Sequence, residues 1–182
     1  MTIDEYAKKH LSREIQLIES SEERLNALPE LTVYEKAIIF KYSEDGYLNL
    51  NERLRLSEGK DISIFGILLN ECLRKLPDYQ GRVYRGVDLS KYDLNRYLEA
   101  FKNNILITES FFISTSESQL ASRMFGRNVQ FQIISKKGKS IREIAKFEDE
   151  KEVLFRYNTS FEILDISPNH DVIIMKEING KV

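Results

Sequence analysis

The 182-residue sequence predicts an α+β fold in one domain, residues 1–182. Three observations predict it. Apolar residues recur at helical spacing through roughly the first 80 positions. Beyond Gly81 they alternate at strand spacing instead. With only three prolines and eight glycines, no linker-like stretch divides the two halves. Helices gathered ahead of strands argue for a segregated α+β arrangement, with mostly antiparallel pairing in the second half.

Taken in order, Ile3, Tyr6, Ala7, His10, Leu11, Ile15 and Ile18 place one helix over 2–28, closed by Pro29. A second helix starts near Thr32, with Glu35 three residues on as a capping box. Ser43-Glu44-Asp45-Gly46 breaks it, and 47–55 resumes as a short helix or turn. A third helix runs from about Asp61 to Leu76 and stops at Pro77. These segments divide the chain into an N-terminal extension (1–30), a helical part (30–80) and a strand-rich core (81–178). In the core, strands are expected over 82–87, 111–113 and 129–134, and near Ile141, Val153, Ile163 and Val172. Helices are expected over 89–101 and 119–125, and a turn at Lys136-Lys137-Gly138-Lys139.

Composition excludes several function classes. A net charge of −2 gives no electrostatic footprint for nucleic acid. No run approaches the roughly 20 apolar residues that span a bilayer, and Met1-Thr2-Ile3-Asp4-Glu5 lacks a signal-peptide profile. The one cysteine, Cys72, sits in a helical pattern and reads as a buried thiol. His10 and His170 lack zinc-ligand spacing, so no metal is expected. Gly138-Lys139-Ser140 resembles the end of a phosphate-binding loop, but the required first glycine would fall at Ile133.

Three pieces remain. Arg85 lies in an apolar strand as Tyr84-Arg85-Gly86, and a buried guanidinium needs an anionic partner such as phosphate or carboxylate. Gly86 would let a ligand approach the backbone. An edge salt bridge would explain the same arginine. Ser114-Thr115-Ser116 puts three hydroxyls at the end of an aromatic strand, although Ser116 would also serve as a helix N-cap. Glu150-Lys151-Glu152 runs directly into Val153-Leu154-Phe155. Alternate strand residues share a face, so the two carboxylates would converge. A solvated acidic hairpin is the alternative.

In this order the three pieces resemble the arginine, Ser-Thr-Ser and Glu-x-Glu motifs of the mono-ADP-ribosyltransferases. The similar branch includes clostridial binary toxins and phage enzymes, and the resemblance covers roughly residues 30 to 178. It includes a helical signature formed by Tyr42, Gly46-Tyr47, Asn51 and Leu54-Arg55. The resemblance implies an ADP-ribosyltransferase-like fold, with two packed, mostly antiparallel sheets around an NAD cleft. It implies that Arg85 holds the NAD phosphates and nicotinamide ribose, that Gly86 bonds the nicotinamide amide, and that Ser114 orients the catalytic Glu152. Glu152 would stabilise the ribosyl cation, and Glu150 would activate the acceptor. Phe125 would stack on nicotinamide, Arg127 would contact phosphate, and Tyr42 and Tyr47 would line the cleft. Phe147 would read the target protein.

The implied activity is transfer of ADP-ribose from NAD, as co-substrate, to a protein arginine, because Glu rather than Gln stands at position 150. The implied setting is a toxin, secreted effector or phage enzyme acting in a target-cell cytoplasm, with an immunity or delivery protein as a further partner. NAD glycohydrolysis and a non-catalytic, partner-binding descendant are the alternatives. Residues 1–30 carry none of the family's motifs.

Overall fold

The computed structural model describes residues 1–178. The expected first helix is three: α1 (Ile3–His10), α2 (Ser12–Glu19) and α3 (Glu22–Asn26). Thr2 and Glu5 form a capping box on α1, and Ser21 caps α3 by accepting from the Arg24 amide. Between α1 and α2 the buried Leu11 leaves helical geometry at φ −126°, ψ 32°. The breaks let each short helix turn its apolar residues onto one core, which a single straight rod could not do.

Helix α4 (Val33–Lys41) starts where expected, with Thr32 and Glu35 capping each other's backbone. The expected break at 43–46 is absent. Tyr42–Gly46 winds as a π-helical turn and leads straight into α5 (Tyr47–Leu56). Gly46 has a packing reason, because a Cβ there would meet the Lys41 carbonyl at 2.9 Å and the Phe65 ring at 3.0 Å. Helix α6 (Ile64–Lys75) begins at the Ser63 cap, a little later than expected. Cys72 is fully buried in it, and burial pushes its thiol pKa far up.

The second half contains β1 (Tyr79–Val87), α7 (Lys91–Asn103), β2 (Ile107–Glu109), β3 (Ile113–Ser116) and α8 (Gln119–Ser122). Then follow β4 (Val129–Ser140), β5 (Glu152–Phe155), β6 (Thr159–Ile166) and β7 (Val172–Ile178). Strand β2 was not foreseen, and Ser118 rather than Ser116 caps α8. The expected lysine turn at 136–139 is strand instead. The Glu177 carboxylate accepts the Lys136 and Lys137 amides at 2.7 Å each, and buried Lys139 bonds the Leu76 carbonyl and Asp78. Ile141, expected in a strand, begins a buried turn with Ile144 and Ala145.

The strands form one hydrogen-bonded network in the order β1-β3-β5-β4-β7-β6-β2, with β1 also paired to β4. All pairings are antiparallel except β4–β7. Long β4 joins the two ladders expected as separate sheets: its first half pairs with β1 and β7, its last residues with β5. Two apolar cores result. One lies among α1, α4, α5 and α6 and includes Phe112 and Leu154; the other lies on the sheet and includes Ile113, Val153 and Phe155. Strands β3 and β5 are therefore buried on both faces, which explains the unbroken Val-Leu-Phe run.

Candidate active site

The register of β3 against β5 sets the site. Ser116 pairs with Glu152 and Ser114 with Leu154, so Glu152 shares a face with both serines. That face is also the one carrying Phe112 and Leu154 into the helical core. Glu152 is only 4% exposed. Burial pushes its carboxyl up to about 7, and Glu150 adds to the rise, while the Ser114 hydroxyl and Arg85 pull it back.

Glu150 does not reach Glu152 by strand alternation, as the sequence suggested. It ends a 3-10 turn, Glu148–Glu150, and Lys151 is left-handed at φ 45°. Two bonds from the end of β3 hold this unusual backbone. Ser116 Oγ donates to the Glu150 carbonyl at 2.6 Å, and the Glu117 amide donates to the Lys151 carbonyl at 3.2 Å. Ser116, the second serine of the triplet, thus fixes the acidic turn, while Ser114 faces the carboxylate. Glu150 is half-buried, and burial raises its pKa as well. Phe147, half-exposed, opens the same turn.

Arg85 reaches from β1 to donate to the Ser114 carbonyl at 2.6 Å. Burial lowers its pKa, as does the neighbouring Arg55, while Tyr42, Tyr97 and Glu152 raise it. Among the described residues, arginine ion pairs involve Arg13, Arg53, Arg96 and Arg142, so Arg55 and Arg85 have no carboxylate partner. Both line a cavity of about 770 Å³ together with Gly86, Phe125, Phe111 and Glu109. Arg55 stacks over the Phe111 ring at 3.9 Å. Glu109 is already satisfied by Tyr97 Oη at 2.6 Å and Arg96 at 2.7 Å. Two guanidiniums without anions beside a cavity fit a diphosphate. Arg55 entered the sequence reading only within the helical signature Tyr42 to Arg55 and was given no role in the site.

The other expected site residues divide. Gly86 and Phe125 line the cavity. The need for glycine at 86 comes from the protein itself: a Cβ would lie 2.4 Å from the Ser122 and Gly126 carbonyls. Gly126 is equally tight against Val87, and this contact seats the loop that carries Phe125. Arg127 lies outside the cavity lining; its amide and that of Asn128 bond Asp88. Tyr42, expected to line the cleft, is fully buried, and Tyr47 sits edge-on to it, also outside the lining. Tyr42 Oη lies 3.4 Å from Ser114 Oγ and accepts from Asn51 at 3.2 Å. The Asn51 amide also bonds both backbone groups of Phe112, at 3.0 and 3.1 Å. These two residues hold β3 from beneath. Among the described residues no group of three or more His, Cys, Asp or Glu is arranged for a metal ion. No described helix is long and apolar enough to cross a membrane.

The raised Glu152 pKa has a stability consequence. The unfolded carboxyl ionises near 4.5 and the folded one near 7, so ionisation favours unfolding as pH climbs between those values. Stability from this group is present below about 4.5 and lost by about 7, at a cost of about 3 kcal/mol. Glu152→Gln is therefore expected to unfold later than the wild type at pH 8, by a margin that vanishes toward pH 4.5. Thermal melts across pH check this; a variant less stable at pH 8 would contradict it.

The chain matches the family model described as NAD:arginine ADP-ribosyltransferase over residues 19–180. It is 35% identical over 133 residues to Mav of Mycobacterium avium, covering 70% of this chain and 15% of Mav. It is 30% identical over 138 residues to the NAD(+)–protein-arginine ADP-ribosyltransferase Tre1 of Serratia proteamaculans, covering 74% of this chain and 29% of Tre1. The chain thus spans less than a third of either relative. Exoenzyme S of Pseudomonas aeruginosa, solved with carba-NAD, shares the fold with a TM-score of 0.76 at 14% identity, covering 96% of this chain and 86% of the other. The Vibrio splendidus ADP-ribosyltransferase Vis, solved with agmatine, does so with a TM-score of 0.69 at 23% identity, covering 97% and 86%. The chain belongs to the NAD:arginine ADP-ribosyltransferase family.

Proposed function

We propose that this chain transfers ADP-ribose from NAD to a protein arginine and releases nicotinamide. The observation that carries the reading is the buried Glu152 beside the half-buried Glu150, with Arg85 interacting with Glu152 and lining the adjacent cavity, whose wall includes neither glutamate. Arg85 and Arg55 hold the diphosphate, Gly86 offers its backbone to the nicotinamide amide, and Phe125 covers the ring. Glu152 accepts from a ribose hydroxyl. As the bond between ribose C1′ and the nicotinamide nitrogen breaks, its electron pair leaves with nicotinamide and positive charge grows on the ribose. A fixed carboxylate in a water-poor site stabilises that charge strongly. Glu150 then pairs with the acceptor guanidinium, orients its nitrogen toward C1′ and takes its proton.

Tyr42 acts through Ser114 and not on NAD itself. Phe147 and the acidic turn face the target protein, and Arg127 is left for the outer phosphate region. Residues 1–182 serve as one transferase unit, residues 1–30 included. The carba-NAD complex of Exoenzyme S and the agmatine complex of Vis support the donor and acceptor classes. Action as a toxin or effector inside another cell, with a delivery or immunity partner, accords with Vis, which is named a toxin.

The test is incubation with labelled NAD and a cell lysate, followed by mass spectrometry of the modified residue. Modification on arginine is expected; modification confined to another residue type overturns the acceptor assignment. Glu150→Gln separates the two half-reactions. It is expected to lower arginine transfer by about 10²-fold while nicotinamide release into water stays within a few-fold. Equal loss of both would mean that Glu150 serves the donor.

A further inference from the structure

The π-helical turn Tyr42–Gly46 touches both sides of the carboxylate pair. On one side Tyr42 supports Ser114. On the other, Ser43 Oγ accepts the Lys146 amide at 2.8 Å, and the Glu44 carboxylate meets Lys146 Nζ at 3.2 Å. Lys146 immediately precedes Phe147, whose carbonyl accepts the Glu150 amide at 3.2 Å. From the opposite direction Arg13 of α2 grips the same Glu44 with both guanidinium nitrogens, at 2.6 and 2.7 Å. Arg24, within α3, reaches the Ala145 carbonyl at 3.5 Å, and both Arg24 and Lys146 stack on the Phe40 ring. The Glu44 side chain is 15% exposed, and Arg13 and then Lys146 hold its carboxyl down at about 2.

The pattern has a specific geometry. A bidentate arginine–carboxylate pair fixes direction as well as distance. Here it joins residue 13 to the last residue before the acidic turn, across one carboxylate. Within this π-helical turn three consecutive side chains, Tyr42, Ser43 and Glu44, serve Ser114 and Lys146. Helices α2 and α3, which carry no catalytic motif, both reach this point.

We propose that the Arg13–Glu44–Lys146 bridge is a positioning device for the acceptor step, through which the N-terminal helices set Glu150. The proposal rests on the transferase reading above. Arg13, Glu44 and Lys146 lie outside the cavity lining; they hold the turn from which Glu150 projects. Loosening the bridge should let Glu150 drift while Glu152, fixed by β5, stays in place. Attack by arginine needs the acceptor nitrogen within about 0.5 Å of its productive place, whereas water needs no such orientation.

The test compares wild type with Glu44→Gln, Lys146→Gln and Arg13→Gln, using agmatine as acceptor. Agmatine transfer and nicotinamide release into water are measured in parallel. All three variants are expected to raise the agmatine KM by about 3- to 10-fold, with NAD KM and hydrolysis within twofold. Arg13 is more than half exposed, so Arg13→Gln keeps the test open if the buried-charge variants fold poorly. Parallel loss of both reactions, or an unchanged ratio in Arg13→Gln, overturns the proposal. A wild type that neither transfers nor cleaves NAD overturns the transferase reading and this inference with it. A wild type that transfers with an unmoved ratio in the variants overturns this inference alone.

Discussion

Glu152→Ala is expected to reduce nicotinamide release and arginine transfer together, each by about 10³-fold or more. The side chain is buried, shares a strand face with Ser114, and lies near both Arg85 and Glu150. The buried Glu109 in the cavity wall is already engaged by Tyr97 and Arg96, so water entering the vacated space would be a poor substitute for a preorganised charge. The smaller effect expected of Glu150→Gln gives the comparison its force, because the proposed function assigns one residue to donor chemistry and the other to the acceptor. Nicotinamide release measured by chromatography checks it. Release within tenfold of wild type would place the catalytic carboxylate elsewhere.

Arg85→Lys is expected to lower kcat/KM for NAD by about 10²-fold, chiefly through a higher KM. The guanidinium does two tasks that an ammonium cannot combine. It bonds the Ser114 carbonyl at 2.6 Å and still presents other N–H groups to the cavity. Lysine keeps the charge but loses the fork, so either the Ser114 carbonyl or the diphosphate goes unserved. Calorimetric NAD binding and steady-state kinetics together check this. An unchanged NAD KM would mean that Arg85 only braces β3. With Arg55 close by, some residual binding is expected, and the double variant with Arg55→Ala should abolish it.

How much of this was legible in the sequence depended on distance along the chain. The Thr32–Glu35 capping box is a local device, and it formed as read. The order of Arg85, Ser114 and Glu152 pointed to the candidate site, and the structure places each of them on a strand. What was not legible depended on partners far away in sequence. The run Ser43–Gly46 has turn chemistry, yet Tyr42, Lys146 and the Phe65 ring convert it into a π-helical turn. The lysine run 136–139 looked like a hairpin, but Glu177 some forty residues later satisfies its amides as strand. Gly86 looked like a ligand contact, whereas the 122–126 backbone explains the missing side chain. Glu150 and Glu152 are two apart, as on a strand, yet a left-handed Lys151 separates a turn from a strand.

In the proposed function one site cleaves NAD at Glu152 and delivers ADP-ribose to a guanidinium at Glu150. The most direct measurement is mass analysis of products from wild-type protein, NAD and agmatine. ADP-ribosyl-agmatine and nicotinamide are expected in near-equal amounts, with the adduct lost in Glu150→Gln and both products lost in Glu152→Ala. Nicotinamide accompanied by free ADP-ribose alone, at saturating agmatine, would contradict it.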